Sequence, residues 1–313
     1  MNEREAKMYE LEFPAPDVAS DGVDGPTLII AMQGYADAGL AVEASADHLL
    51  SALEHRPVTV FNNDELIDYR SRRPAVTIDH NIVVDANELK LSMDVLRDSN
   101  GTPFLLLSGP EPDLRWDAFS QAVADLVRRF GVRRTICIYA APMTVPHTRP
   151  LIVSAHGNSL DLIKHHFSID SKVTIPGSAS LHIERLLNKN NIDVAGYTAH
   201  VPHYLSASAY PLATLKLLEA ITTSTNLDFP LKTLEADAQK TALQVEEQVA
   251  GSQEIESVVK ILEQQYDEEL EKYRERNPKA LEIAEDDLPD ADELGEEFER
   301  FLANIDEENG SDD

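Results

Sequence analysis

The sequence is poor in the residues from which many metal and redox sites are built. It contains one cysteine, Cys137, and one tryptophan among 313 residues. A single thiol forms neither an intramolecular disulfide nor a cysteine–zinc cluster, and this predicts a reducing compartment. No stretch approaches the roughly 20 apolar residues that span a bilayer, and the polar first residues do not resemble a signal peptide. We therefore expect a soluble, cytoplasmic protein.

Positive charge is also scarce. The chain has 27 Lys and Arg against 56 Asp and Glu, which gives a formal net charge of −29. From Glu235 onward lie 27 of those acidic residues and 7 of the basic ones. A field of this sign disfavours nucleic acid and anionic membranes as partners. The acidic end is either a solvated tail that keeps the protein soluble or a segment that binds a protein partner.

Three motifs of nucleotide-binding and hydrolytic proteins are missing. Gly34 and Gly39 have the spacing of the start of a P-loop, but Leu40 and Ala41 stand where its Lys and Ser or Thr are required. Neither the G-x-G-x-x-G dinucleotide fingerprint nor the G-x-S-x-G nucleophile elbow occurs. The segment is therefore interpreted as a tight turn with Asp37 near the start of a helix. We expect no cofactor.

Residues 1–230 alternate between apolar runs and segments with helical spacing. This order favours a three-layer α/β/α sandwich around a mixed, mostly parallel sheet. An apolar hairpin across residues 77–84 is expected to make the sheet mixed. The predicted strands are 27–32, 58–61, 104–107, 136–139 and 194–199, and the predicted helices include 116–130, 160–166, 181–187 and 210–222.

The pattern changes at residue 231. Apolar residues then repeat every three or four positions up to residue 277, with a break at Gly251 and Ser252. We predict two amphipathic helices that form a C-terminal antiparallel hairpin over residues 231–277. Its apolar face covers the chain's own α/β body or contacts another subunit. Residues 278–313 are predicted to be an acidic tail with a short amphipathic stretch from Leu294 to Ile305.

Polar side chains follow the predicted strand ends. Ligand sites in open α/β sheets lie at the carboxyl ends of strands, so these side chains are candidates for one pocket. Arginines in an acidic chain suit a carboxylate or a phosphate group. The candidate pocket residues are Asp37, Arg73, Glu111, His147, Arg149, His200 and His203.

Two interpretations of this pocket stay open. The arginines bind a ligand, or they pair with the chain's own carboxylates, such as Glu111 or Asp113. The three histidines are of a type that zinc accepts, yet no helical H-x-x-x-H pair or spaced carboxylate accompanies them. Histidines bonded to backbone carbonyls are therefore favoured, and no metal is expected.

Five motifs, taken in order, resemble the bacterial, actinobacterial-type branch of the proteasome assembly chaperone 2 family over residues 27–225. The resemblance implies a phosphorylase/hydrolase-like fold and homo-oligomers, with a trimer as the expected size. It implies no established enzymatic activity. The motifs are Gly34-Tyr35-Ala36-Asp37-Ala38-Gly39, Asp68-Tyr69-Arg70-Ser71-Arg72-Arg73-Pro74, Gly109-Pro110-Glu111-Pro112-Asp113-Leu114-Arg115-Trp116, Pro146-His147-Thr148-Arg149-Pro150 and Gly196-Tyr197-Thr198-Ala199-His200-Val201-Pro202-His203-Tyr204.

Two classes of function follow. The first is a non-catalytic assembly or interaction protein that binds a protein partner through its C-terminal helices. Eukaryotic members of the family bind proteasome α-subunits and can dock through a C-terminal hydrophobic-Tyr-X tail, whereas this sequence ends in Ser311-Asp312-Asp313. The alternative is a binder or enzyme for a small phosphate, nucleoside or carboxylate.

Overall fold

The computed structural model describes residues 8–13, 25–168 and 172–276. Within these ranges nine strands form one sheet in the order β1-β3-β6-β7-β2-β8-β11-β9-β10, and β4 and β5 form a separate hairpin. The strands are β1 (Tyr9–Leu11), β2 (Thr27–Gln33), β3 (His55–Phe61), β4 (Val76–Asp79), β5 (Ile82–Ala86), β6 (Ser92–Arg97), β7 (Pro103–Pro110), β8 (Arg134–Met143), β9 (Val153–Gly157), β10 (Phe167–Ser168) and β11 (Asp193–Pro202).

The centre of the sheet is parallel. Strands β7, β2, β8 and β11 are neighbours that run in one direction, and β3 shares that direction through its antiparallel pairing with β6. Five of the nine strands in this sheet therefore point the same way, as predicted. Strand β2 is buried along almost its whole length, which is typical of a strand covered on both faces.

Helices lie on both faces of the sheet and make two apolar cores. One core lies between the sheet and α1, α6 and α7, and the other lies between the sheet and α3 and α5. This is the predicted three-layer sandwich. The helices are α1 (Ala41–Ala52), α2 (Asn63–Leu66), α3 (Trp116–Arg129), α4 (Leu160–Ile163), α5 (Ala179–Lys189), α6 (Pro211–Thr225), α7 (Lys232–Ala250) and α8 (Gln253–Arg276).

The hairpin was predicted in the right place but with the wrong role. Strands β4 and β5 pair with each other and with no strand of the large sheet in the described residues. The sheet is mixed for another reason: β1 pairs antiparallel with β3, β6 with both β3 and β7, and β9 with β11. Strand β6 escaped prediction because its sequence, Ser-Met-Asp-Val-Leu-Arg, alternates polar and apolar residues instead of forming an apolar run.

The helix predicted over 160–166 is too long. Helix α4 ends at Ile163, because Phe167–Ser168 pairs with β9 as a short parallel strand. The histidine before that strand, His166, turns inward, where its ring packs on Tyr197 and its Nε2 lies 2.9 Å from the Ser224 hydroxyl. The turn that this requires is incompatible with a continuing helix.

The C-terminal helices begin and end close to the predicted positions. Gly251 ends α7, and the Ser252 hydroxyl accepts a hydrogen bond from the Ile255 N–H at the start of α8. The chain divides into two compact units after Asp267, so α7 and most of α8 belong to the first. The predicted stretch from Leu294 to Ile305 lies outside the described residues. No described helix is long and apolar enough to cross a membrane.

Candidate functional site

The carboxyl ends of β2, β7, β8 and β11 share one edge of the sheet, and most of the predicted pocket residues lie along it. Asp37, Glu111 and His147 follow β2, β7 and β8, while His200 and His203 lie at the end of β11. They do not form one pocket. The histidines and Arg149 make one cluster, Asp37 caps a helix, and Glu111 lies beside α5 on the other face of the sheet.

Tyr204 joins two of the histidines. The His147 N–H donates to the Tyr204 hydroxyl at 2.8 Å, and Nδ1 of the same histidine lies 2.7 Å from that oxygen. The His203 ring packs edge-on against the Tyr204 ring. Burial lowers the pKa of His147, although Glu246 and Glu263 act in the opposite direction. Tyr204 belongs to a quoted motif but was not predicted as a site residue, because nothing in the spacing distinguishes it.

Arg149 is held by carboxylates of α8. Its Nε and Nη2 donate to Oδ1 and Oδ2 of Asp267 at 2.9 and 2.8 Å, and its Nη1 lies 3.4 Å from Oε1 of Glu263. The Asp267 hydrogen bond raises the pKa of the guanidinium, and Arg149 lowers the pKa of Asp267. The positive charge predicted for a ligand is thus already paired within the chain.

The space beside Arg149 is almost filled. A cavity of about 10 Å³ is lined by Arg149, His200, Tyr210 and Tyr266 with neighbouring prolines, which is room for about one water molecule. Helix α8 closes it, since the Tyr266 hydroxyl donates to the Pro150 carbonyl at 2.8 Å. No phosphate or nucleoside fits in this volume.

His200 is neutral and structural. Its Nε2 lies 2.9 Å from the Ser154 hydroxyl on the adjacent strand β9. Burial lowers its pKa from 6.5 to about 4. His147 and His200 therefore bond to hydroxyl groups, and not to the backbone carbonyls that the sequence favoured.

Asp37 caps the start of α1. Its two carboxylate oxygens accept the N–H groups of Val42 and Glu43 at 2.7 and 3.2 Å, where the helix dipole favours a negative charge. Burial raises the pKa of this carboxyl, and the two backbone hydrogen bonds oppose that effect. The predicted capping role of Asp37 agrees with this geometry.

Glu111 and the arginine cluster lie apart from the histidines. Oε1 of Glu111 accepts the Ala179 N–H at the start of α5 at 2.6 Å. In the basic cluster, Arg72 rather than Arg73 turns inward, because it donates to the Gln33 carbonyl and pairs with Asp113. Arg73 is exposed.

A buried polar network was not predicted. The Tyr139 hydroxyl donates to Oε1 of Glu184 at 2.5 Å, and Nε2 of His156 lies 3.0 Å from Oε2 of the same carboxylate. Glu184 raises the pKa of His156 against the effect of burial. Gly196 makes room for the network, since a Cβ there would lie 2.4 Å from the His156 ring. The Cys137 thiol lies at the same place, and burial raises its pKa.

In the described part of the chain, no group of three or more His, Cys, Asp or Glu side chains is placed to hold a metal ion. The lone thiol is fully buried, and a reactive thiol needs exposure and a lowered pKa. A doubly wound α/β/α protein usually binds its ligand at this edge of the sheet. In this chain, side chains of its own helices nearly fill that position.

Comparisons with known proteins agree with this class. The PAC2 family model matches residues 31–249, so the chain belongs to the PAC2 family, and the family resemblance of the five motifs is confirmed. No curated protein matches the chain.

Solved structures extend the comparison. A Corynebacterium glutamicum protein of unknown function is 61% identical, with 86% of this chain and 100% of that chain covered and a TM-score of 0.83. Rv2714 of Mycobacterium tuberculosis, also of unknown function, is 44% identical over 87% of this chain and 92% of its own, with a TM-score of 0.82. The M. tuberculosis proteasome-assembly chaperone homologue Rv2125 is 23% identical over 74% of this chain and 99% of its own, with a TM-score of 0.68. That last likeness concerns the fold alone.

Proposed function

We propose that the protein is a non-catalytic, chaperone-like interaction protein that works as a homo-oligomer in the cytoplasm. The observation that carries the proposal is the pairing of Arg149 with Asp267 and Glu263 over a nearly filled cavity. A phosphate or nucleoside would have to displace two carboxylates of the chain itself. The fold shared with a proteasome-assembly chaperone homologue is consistent with a role in assembly.

A groove between the C-terminal helices supports a protein partner. It has a volume of about 400 Å³ and is lined mainly by apolar side chains of α7, α8 and the turn after β11, including Val245, Val249, Ile255 and Val258. Ile255 and Val258 are about half exposed. The groove lies within the most acidic part of the sequence. Its chemistry therefore suits a partner with apolar anchors and basic residues around them.

The exposed hairpin supports self-association. All residues of β4 and β5 are exposed, although an isolated two-stranded hairpin is marginally stable in water. A second copy of the chain would cover these side chains, and a trimer is the assembly that the family resemblance implies. The exposed β-branched apolar residues are Val76, Ile78, Ile82, Val83 and Val84.

Capture from a lysate tests the partner proposal. The full chain and the double variant Ile255→Asp/Val258→Asp should be compared, with Leu160→Asp on α4 as a control at another exposed apolar residue. We expect one captured protein that the groove variant loses and the control retains. Mass spectrometry of the same eluates should detect no bound phosphate compound. A nucleotide or sugar phosphate retained by the wild type in stoichiometric amount would contradict the non-catalytic assignment.

Sedimentation velocity tests the assembly proposal. Ile78 pairs with Val83 across the hairpin, so Ile78→Lys/Val83→Glu places opposite charges side by side and preserves the hairpin. We expect a trimer for the wild type and a monomer for this variant. A wild-type monomer at micromolar concentration, or an unchanged oligomer in the variant, would refute the role of the hairpin.

A further inference from the structure

The groove at the C-terminal helices is walled by helix faces. On each of α7 and α8 its lining includes residues at positions i, i+3 and i+4, a spacing that places side chains on one face of an α-helix. The remaining side is the turn after β11, with Tyr204 and Leu205. The residues with this spacing are Val245, Gln248 and Val249 on α7 and Ile255, Val258 and Val259 on α8.

The apolar lining of the groove is buried in part and open in part. Val245 and Val259 are 8% and 5% exposed, whereas Ile255 and Val258 are 45% and 46% exposed. Ile261 lies three residues farther along α8 and is 56% exposed. Exposed apolar side chains thus recur every three residues on α8, and they extend the apolar surface beyond the groove by about one helical turn.

These walls restrict the form of the occupant. No residue that lines the groove belongs to a strand, so the groove offers no sheet edge to which an extended chain could add. An extended segment would bury its backbone N–H and C=O groups against apolar side chains, which is costly without partners. A helix satisfies those groups internally and turns a stripe of apolar side chains toward the walls. The groove therefore fits a helix better than an extended chain.

The charge around the groove selects the flanks of that helix. Residues 244–262 contain four glutamates and one basic residue, Lys260. Lys260 forms an ion pair with Glu256, one turn earlier in the same helix. A second copy of this stretch carries the same negative charge and would be repelled, so the complement is a basic helix of another protein. The exposed glutamates that remain are Glu246, Glu247 and Glu254.

We propose that the groove binds an amphipathic helix of a partner protein, with its apolar stripe toward α7 and α8 and with lysine or arginine on its flanks. Ile255 and Val258 make the apolar contacts, and Glu254, which lines the groove, pairs with a basic flank. The inference rests on the proposed interaction role and names the kind of segment that the groove takes.

Binding of two designed peptides to the full-length protein tests the form of the occupant. Both contain only leucine and lysine in the same proportion and are about 15 residues long, which is long enough for a helix to form. The leucines recur at helical spacing in one peptide and alternate with lysines in the other. Both peptides carry the same charge, so general attraction to this acidic protein is equal. We expect the helical peptide to bind at least about tenfold more tightly, measured by fluorescence anisotropy.

A pair of serine variants locates the binding. Ile255→Ser/Val258→Ser should weaken binding of the helical peptide about tenfold or more, because it removes apolar contact area. Leu160→Ser changes an exposed apolar residue of α4, outside the groove, and should bind as the wild type does. All three side chains are exposed, so the variants should fold, which circular dichroism checks.

The charge of the flanks is tested separately. Glu247→Gln/Glu254→Gln should weaken binding of the helical peptide about threefold and reduce its dependence on salt. Asp117→Asn/Asp161→Asn makes the same change in net charge at exposed carboxylates that do not line the groove. Equal losses in the two double variants would contradict the pairing of Glu254 with a basic flank.

Three results would overturn the proposal. They are equal affinity of the helical and alternating peptides or no binding of either, unchanged affinity of the helical peptide in Ile255→Ser/Val258→Ser, and dissociation of the wild-type oligomer in that variant. The last would make a second copy of the chain the occupant. If the peptides fail but Ile255→Asp/Val258→Asp still loses a protein captured from the lysate, the interaction role stands and the partner does not bind as a helix.

Discussion

The Arg149 pair and the Glu184 network both bring a carboxylate to a basic side chain, but they lie in opposite surroundings. The Arg149 and Asp267 side chains are 33% and 53% exposed, whereas Glu184 is 9% and Tyr139 7% exposed, and only His156 of that network, at 36%, reaches solvent. Solvent screens an exposed ion pair, so it contributes little to global stability. In a buried network, loss of one member leaves the others unpaired in the core. The surface pair thus fixes the position of one helix, while the buried network supports the whole fold.

The largest expected effect comes from disturbing the buried network without removing any polar group. Gly196→Ala places a Cβ 2.4 Å from the His156 ring and 2.8 Å from Oε1 of Glu184. The side chains must separate, and we expect a loss of about 2–3 kcal/mol in the free energy of unfolding, measured in urea.

The matched control is Gly177→Ala. Its nearest neighbour to the new Cβ would be Trp116 at 3.9 Å, an ordinary contact. We expect almost no change in stability. Equal losses at Gly177 and Gly196 would show that the network has no special role.

The next effect is a difference in pH dependence between two histidines. Burial lowers the pKa of His200 from 6.5 to about 4, so below pH 6.5 the unfolded chain binds a proton that the folded chain does not. Stability is therefore lost as the pH falls from 6.5 toward 4. His200→Asn should reduce the loss between pH 6.5 and about 5 by roughly 2 kcal/mol, measured as urea midpoints across pH. Burial also lowers the pKa of His166 to about 4. The His200→Asn variant should therefore retain the part of the acid sensitivity that comes from His166.

His156 should behave in the opposite sense. Its pKa is raised by Glu184, so its contribution is complete below pH 6.5 and is lost as the pH rises through the raised value. His156→Asn should destabilise the protein more at pH 6 than at pH 9. A pH-independent loss would mean that the histidine acts through packing alone.

The smallest global effect is expected at the surface pair. Arg149→Ala should leave the urea midpoint nearly unchanged, because the pair is exposed. It should still increase hydrogen exchange of the backbone around Leu262 and Tyr266, the buried residues of α8 that precede Glu263 and Asp267 in the sequence.

Lys260→Ala provides the control for that measurement. It breaks an ion pair with Glu256 inside the same helix and should not change exchange at Tyr266. If Arg149→Ala shifted the urea midpoint as strongly as Gly196→Ala does, the contrast between the two regions would fail.

The parts predicted well are those governed by local pattern. Buried apolar runs identified β2, β7 and β8, helical spacing identified α3 and the C-terminal helices, and the turn at Asp37 identified the start of α1. Long-range partners were not predictable. Asp267 pairs with Arg149, which lies 118 residues earlier in the sequence, and Glu184 accepts a hydrogen bond from Tyr139, which lies 45 residues earlier. No spacing rule selects these carboxylates from 56 acidic residues, because the pairing depends on how the layers pack.

Strand β6 shows a different limit. Ser92 and Asp94 alternate with apolar residues, a pattern that indicates a half-exposed strand. The structure instead turns the polar positions toward the interior. A strand with inward-facing polar residues carries the same sequence pattern as one with outward-facing polar residues, so the orientation depends on the neighbouring strands.

The exposed hairpin also promotes aggregation of the newly synthesised chain. Both of its strands have an unpaired outer edge, and such edges with β-branched apolar side chains template pairing with other chains and aggregation. A net charge of −29 opposes this by keeping single chains apart. Salt screens that repulsion beyond about 8 Å at physiological ionic strength, so the repulsion protects single chains only at close approach. The acidic composition therefore opposes the aggregation that the hairpin edges would otherwise promote, and more strongly at low salt than at high salt.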